Sequence, residues 1–223
     1  MSPAQLALDL QYRPAFGFDA FLVSGSNADA VAWLDKWPDW PASGLAINGP
    51  AGCGKTHLVH VWARVADARI VAAADLAEMD IPALAAGPVA VEDCDKGVDQ
   101  ESLLHLYNLL RENDQYLLIT GATPPSRWNL TLPDLISRLK ALPSVAVGAP
   151  DDDLLAGVLK KQFDDRQLPV GDDVVHYLVA RMHRSFAAAA RIVTGMDRAA
   201  LAARRRITVP LAATVLEQIE VEN

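Results

Sequence analysis

Apolar positions fall along this chain in two rhythms, and the change between them marks its organisation. Short runs come first: LAIN (45–48), ARIVAA (68–73), PVAVEDCD (88–95), QYLLITGA (115–122) and SVAVGAP (144–150). Continuous apolar character over so few residues is the pattern of strands covered on both faces, as in parallel sheets. Between them the spacing turns helical, over 57–66, a piece from Asp75 to near Gly87, 99–113 and 132–142. In 99–113, Leu103, Leu104, Leu106, Leu109 and Leu110 share one buried face. A further helix over 28–36 precedes the first run, with Ser26 or Asn27 placed to cap it. Five strands alternating with helices predict a mostly parallel α/β sheet. After Pro150 and the acidic run 151–153 only helical spacing remains, over 152–167, 172–183, 185–204 and 209–220. The expected fold class is therefore α/β, with a five-stranded parallel core over 15–149 followed by a small all-helical domain over 150–223.

The junction between the first strand and its helix reads GPAGCGKT (49–56). It matches G-x-x-x-x-G-K-[ST], the phosphate-binding loop of P-loop NTPases, in the strand–loop–helix context that the motif needs. Gly52 and Gly54 let the backbone turn its N–H groups toward a phosphate, and the helix N-terminus adds the positive end of its dipole. Gly49, Ala51, Gly52, Cys53, Gly54, Lys55, Thr56 and His57 are the expected contacts to a nucleotide along this segment. Lys55 would reach the β- and γ-phosphates, and the Thr56 hydroxyl would hold Mg2+. The third strand ends in acids. In a P-loop protein one such carboxylate, here Glu92, orders Mg2+, and the next, Asp93, polarises the attacking water. A solvated acidic turn is the plainer reading of the same pair. The end of the fourth strand offers only Thr120, Gly121, Ala122 and Thr123 as polar sensors of the γ-phosphate, a weak set.

Composition narrows the class. Hydrophobic residues are 51% and charged residues 22%, which suits a packed globular chain rather than a disordered one. The net charge of −8 argues against broad nucleic-acid binding by the whole surface. Cys53 and Cys94 cannot build a disulfide framework and suit a reducing compartment. The N-terminus has no basic region followed by an apolar core, and no run approaches the ~18 apolar residues of a membrane span. A cytoplasmic protein with no membrane partner is expected. Arg184, Arg191, Arg198 and Arg205 recur every seven residues in the third late helix. That stripe fits a solvated face, a nucleotide-sensing arginine, a DNA-phosphate contact or a partner surface. At the N-terminus, Gln5, Leu6, Leu8 and Leu10 fit an edge strand of the protein's own domain. They fit equally a short linear motif that docks in a partner's pocket, with 11–14 as tether.

A P-loop α/β domain followed by a helical lid resembles the AAA+ class. FDAFLVSGSNADAV resembles the segment that precedes the P-loop in the replication initiator DnaA and its relatives. GPAGCGKTHLVHV, VAVEDCD, LLITGATPP, LPDLISRL and ITVPLAATVL follow in that family's order and spacing. QLALDL resembles the motif by which proteins dock on the bacterial sliding clamp. The sequence ends after the lid, so a relative without DnaA's C-terminal DNA-binding domain is expected. The combination resembles the regulatory branch of the DnaA/Hda family, which turns the initiator off after replication starts.

The resemblance implies an adenine nucleotide held with help from Val23 and Asn27, and docking on the β-subunit sliding clamp of DNA polymerase III through Gln5, Leu6, Leu8 and Leu10. DNA is then met only through the clamp, and homo-oligomerisation is left open. It further implies that Arg138, in the S-R segment, is an arginine finger presented in trans to ATP held by DnaA. Two departures bear on the chain's own turnover. Ala122 stands where relatives carry an acidic sensor, and Ala187 where they carry the lid's sensor arginine, with Arg191 or Arg184 as substitutes. Weak or absent intrinsic ATPase activity follows. The competing classes are a self-sufficient AAA+ ATPase, such as a helicase loader or DNA-remodelling factor, and a non-catalytic adaptor with structural ADP.

Overall fold

A computed structural model describes residues 12–13, 21–203 and 206–221. A two-residue strand β1 (Tyr12–Arg13) pairs antiparallel with β2 (Phe21–Leu22), Tyr12 opposite Leu22. β1 falls within the segment 11–14 expected as a tether. Gln5, Leu6, Leu8 and Leu10, expected either as an edge strand or as a clamp-docking motif, lie outside the described residues, as does Arg205. The described chain divides into two compact units. One holds 27–148, and the other holds 149–221 together with β1 and β2.

In the first unit, α1 (Ala28–Leu34) leads into β3 (Gly44–Asn48), which is buried along nearly its whole length. There follow α2 (Lys55–Ala66), β4 (Arg69–Ala72), a 3-10 turn Ala73–Glu78, α3 (Ile81–Leu84) and β5 (Val89–Glu92). Then come α4 (Gln100–Glu112), β6 (Leu117–Gly121), α5 (Pro133–Ala141) and β7 (Ser144–Ala146). The five strands β3–β7 form one sheet in the order β4-β5-β6-β3-β7, every pair parallel. The continuously buried runs are the inner strands β5, β6 and β3, whereas each edge strand has a single buried residue, Val71 in β4 and Val145 in β7. The piece expected as one helix from Asp75 is broken in two. Pro82 lacks the N–H that a continuing helix needs, and the Asp80 carboxylate accepts the Ala83 N–H to start α3 afresh.

The apolar face of α4 is Leu103, Leu106, Tyr107 and Leu110, all buried, while Leu104 and Leu109 are only partly buried. Tyr107 thus takes a place the leucine pattern left unfilled. Against α2, Trp40 stacks on Trp62 at 5.6 Å and 19°, and Tyr116 meets Trp37 and Trp40 edge-on at 6.0 and 5.9 Å. Such pairs contribute about 0.5–1.5 kcal/mol each beyond the area they bury. The loop Trp37–Trp40 thus packs against α2 and Tyr116.

The second unit is the helical one: α6 (Asp152–Asp165), α7 (Asp172–Val179), α8 (Phe186–Ala203) and α9 (Val209–Val221). Asp151 caps α6 through the Leu154 N–H at 2.8 Å, and the Ser185 hydroxyl caps α8 through the Ala188 N–H at 3.1 Å. Gly195 lets α8 and α9 meet closely, since a Cβ there would lie 2.9 Å from Val215 Cγ1. No helix among the described residues is long and apolar enough to cross a membrane.

Candidate functional site

The P-loop stands where β3 gives way to α2, and its backbone explains its glycines. Gly52 and Gly54 have φ of 75° and 102°, the left-handed region that side chains avoid. At Gly49 a Cβ would collide with the Val147 carbonyl, so the loop's first residue has no room for a side chain. Gly54 is the N-cap of α2, and its carbonyl accepts the Leu58 N–H at 3.1 Å. Lys55 arches back over the loop, its Nζ donating to the carbonyls of Gly49 (2.7 Å) and Pro50 (3.0 Å). Ala51, Thr56 and His57 are exposed on the same segment, and the Cys53 side chain is buried beneath it. Burial pushes the Cys53 thiol up, partly offset by the charge of Lys55. Burial first, and the charge of His60 second, lower the pKa of the His57 imidazole. A cation held at the mouth of a left-handed glycine loop, above the first turn of a helix, is a cradle for phosphate.

Register brings the acids to the same edge of the sheet. Val91 lies opposite Ile119, and Asn48 opposite Gly121, so β5, β6 and β3 end together at the P-loop side. Glu92 closes β5 half-buried, and its carboxylate makes no hydrogen bond or ion pair among the described residues. Asp93 follows in a left-handed conformation (φ 61°), and its carboxylate is engaged by Lys96 at 2.8 Å. The two acids are thus unequal: one uncommitted, the other held on its own loop. Glu92 and the Thr56 hydroxyl are donors of the hard-oxygen kind that suits Mg2+.

The sensor candidates at the end of β6 are committed elsewhere. The buried Thr120 hydroxyl accepts the Asp93 N–H at 3.1 Å, and the Thr123 carbonyl accepts Trp128 Nε1 at 2.7 Å. The Ala122 N–H donates to Asp95 Oδ2 at 2.8 Å. Sequence reading passed over Asp95, which ties the loop after β5 to the loop after β6. Its other oxygen, Oδ1, is buried and makes no hydrogen bond among the described residues.

Arg138 lies on α5, half-buried, with Nε enclosed and making no hydrogen bond. Its guanidinium sits 5.7 Å from the centroid of the Tyr107 ring. Arg138 has no acidic partner among the described residues. In the helical unit the arginine stripe is uneven. Arg184 falls before α8 starts and pairs with Asp152, whereas Arg191 and Arg198 are exposed on the helix. Val23 is half-buried just after β2, and Asn27 is buried at the N-cap of α1 without a side-chain cap bond.

A parallel five-stranded sheet, a phosphate loop after its inner strand β3 and a following helical unit define a P-loop protein of the AAA+ type. Residues 151–216 match the family model described as Hda, lid domain. The initiator protein DnaA of Clavibacter sepedonicus is 26% identical over 201 residues, covering 78% of this chain and 42% of that protein. The chain therefore spans less than half the length of this curated relative. Domain III of Thermotoga maritima DnaA superposes with a TM-score of 0.74 at 17% identity, covering 89% of this chain and 94% of that one. AMPPCP-bound DnaA from Aquifex aeolicus gives 0.68 at 17% identity, covering 79% and 63%. Over most of its length the chain is similar to DnaA, and over residues 151–216 to the Hda lid domain.

Proposed function

We propose that this protein is a negative regulator of replication initiation that stimulates hydrolysis of ATP bound to DnaA. In this reading it holds ADP or ATP at Gly49–Thr56, docks on the DNA-loaded sliding clamp through Gln5, Leu6, Leu8 and Leu10, and presents Arg138 in trans. The observation that carries the proposal is Arg138 itself. A partly buried guanidinium with no acidic partner is expensive to keep and is suited to an anion supplied from outside. A cation brought to the developing γ-phosphate charge speeds hydrolysis by about 10³–10⁵ in GTPase systems.

The nucleotide cradle fits the resident cofactor: positive-φ glycines, a helix N-terminus, and Lys55 poised on the loop carbonyls. Relatives solved with AMPPCP support adenine nucleotide as its occupant. Mg2+, if bound with it, would be held by the Thr56 hydroxyl and ordered by Glu92, and would neutralise phosphate charge. Lys55 orients the phosphates, and the backbone N–H groups of Gly52 to Lys55 bind them.

The test is DnaA-ATP lifetime with clamp loaded on DNA. Wild-type protein should shorten it, and Arg138→Ala should abolish the effect while still binding the clamp. An unaltered lifetime with the wild-type protein rejects the proposal. The uncommitted Glu92 favours a second reading, a self-sufficient AAA+ ATPase. Rapid turnover by the purified protein alone, lost in Lys55→Ala, would establish that reading instead.

A further inference from the structure

Arg138 and Tyr107 come from different helices, and their meeting was invisible in either one's periodicity. The guanidinium carbon is 5.7 Å from the ring centroid of Tyr107, a residue 8% exposed on the inner face of α4. Within about 6 Å a guanidinium is drawn to the face of an aromatic ring by the ring's quadrupole. This contact differs from an ion pair in one respect that matters. A carboxylate partner would neutralise the charge and compete with any incoming phosphate, whereas an aromatic ring fixes the side chain and leaves its charge available.

The helix that carries Arg138 is itself moored to α4. Gln100 Oε1 accepts the backbone N–H groups of Thr131 (2.7 Å) and Leu132 (3.0 Å), just where α5 begins. Leu135 and Leu139 of α5 are buried in the same core as Leu103, Leu106 and Tyr107. Both ends of the connection are therefore set by α4: Gln100 fixes where α5 starts, and Tyr107 lies beside its cation. Arg138 Nε is enclosed with no hydrogen bond, so no polar contact among the described residues holds the side chain in place. The ring is what remains to hold it.

We infer that Tyr107 is a positioning residue for Arg138, an aromatic platform that pre-orders the guanidinium for a triphosphate on a second protein. The inference rests on the trans-finger reading above. Pre-ordering a side chain lowers the entropy lost when it engages, and so acts on the stimulated rate rather than on docking.

The test compares full-length wild type, Arg138→Ala, Tyr107→Phe, Tyr107→Leu and Tyr107→Met in hydrolysis of DnaA-bound ATP with clamp loaded on DNA. Tyr107→Phe keeps the ring and should stay within about twofold of wild type. Tyr107→Leu and Tyr107→Met remove the π-face and should lower the maximal stimulated rate by about 3- to 30-fold. The concentration giving half-maximal stimulation, and clamp retention, should not change. Methionine refills the site with a flexible apolar chain, so it serves where leucine lowers the melting temperature below the assay. A Tyr107→Met protein as active as Tyr107→Phe overturns the platform, and so does one that shifts only the half-maximal concentration. If wild type gives no stimulation, or Arg138→Ala retains it, the trans-finger reading itself fails. If Arg138→Ala is inactive and Tyr107→Met fully active, only the platform fails.

Discussion

Replacing Arg138 by methionine should leave the fold as stable as before or more so, while removing function. The magnitude follows from the surroundings of the side chain. Arg138 Nε is buried with no hydrogen bond, and an unsatisfied buried donor costs about 1–3 kcal/mol. Against that, the contact with Tyr107 contributes about 0.5–1 kcal/mol at a partly exposed site. Methionine removes the orphaned donor, keeps much of the stem's packing and can lay its sulfur on the same ring. The net change is therefore about 0–2.5 kcal/mol in favour of the variant. For a chain of this length each kcal/mol moves the melting temperature by about 2–4 °C. Urea and thermal melts of wild type and Arg138→Met at matched nucleotide concentration measure the difference. A loss of more than about 1 kcal/mol would refute the reasoning, because it would make Arg138 an anchor of α5 rather than a group kept at a cost to stability.

Three further outcomes follow. Gly49→Ala places a methyl against the Val147 carbonyl and 2.8 Å from Cys53 Sγ, so it should cost about 1–3 kcal/mol and weaken ADP binding. An unchanged melt together with unchanged titration of a fluorescent ADP analogue would count against the loop geometry. Asp99 caps α4 by accepting the Ser102 N–H at 2.8 Å, and hydrogen bonding to Ser102, by its side chain first and its backbone N–H second, holds the Asp99 carboxyl below the ordinary aspartate value. A depressed carboxylate stabilises the fold above its unfolded pKa, and the benefit fades as pH falls through the folded value. The difference between wild type and Asp99→Ala should thus be about 1 kcal/mol at neutral pH and shrink below about pH 4. Urea melts at neutral and acidic pH compare the two. Removing residues 1–10 should abolish retention on immobilised, DNA-loaded clamp without lowering the melting temperature. A lowered melt would instead make the segment a structural strand.

The sheet was legible because its signals are local. Each of the five apolar runs became a strand, and GPAGCGKT shows its glycines where positive φ and lack of space demand them. The helical unit was equally plain, since its spacing needs no partner to be recognised. What escaped were contacts between residues far apart in the chain. Asp95 meets the Ala122 N–H across 27 positions, and Gln100 meets Leu132 across 32. No periodicity encodes either. Tyr107 was missed because a run of leucines on α4 already filled the expected face, although burial selects it over Leu104 and Leu109. The break after Glu78 was signalled by Asp80 and Pro82, which a single amphipathic reading overrode. The arginine stripe counted Arg184 with the third late helix. Arg184 instead precedes the helix and is spent on Asp152.

Single-turnover decay of labelled ATP on DnaA, with clamp loaded on DNA and Arg138→Ala beside the wild type, tests the central claim most directly. The account predicts rapid conversion to ADP with the wild type and the unstimulated rate with Arg138→Ala, at equal occupancy of the clamp. Equal, rapid conversion by both proteins would contradict it.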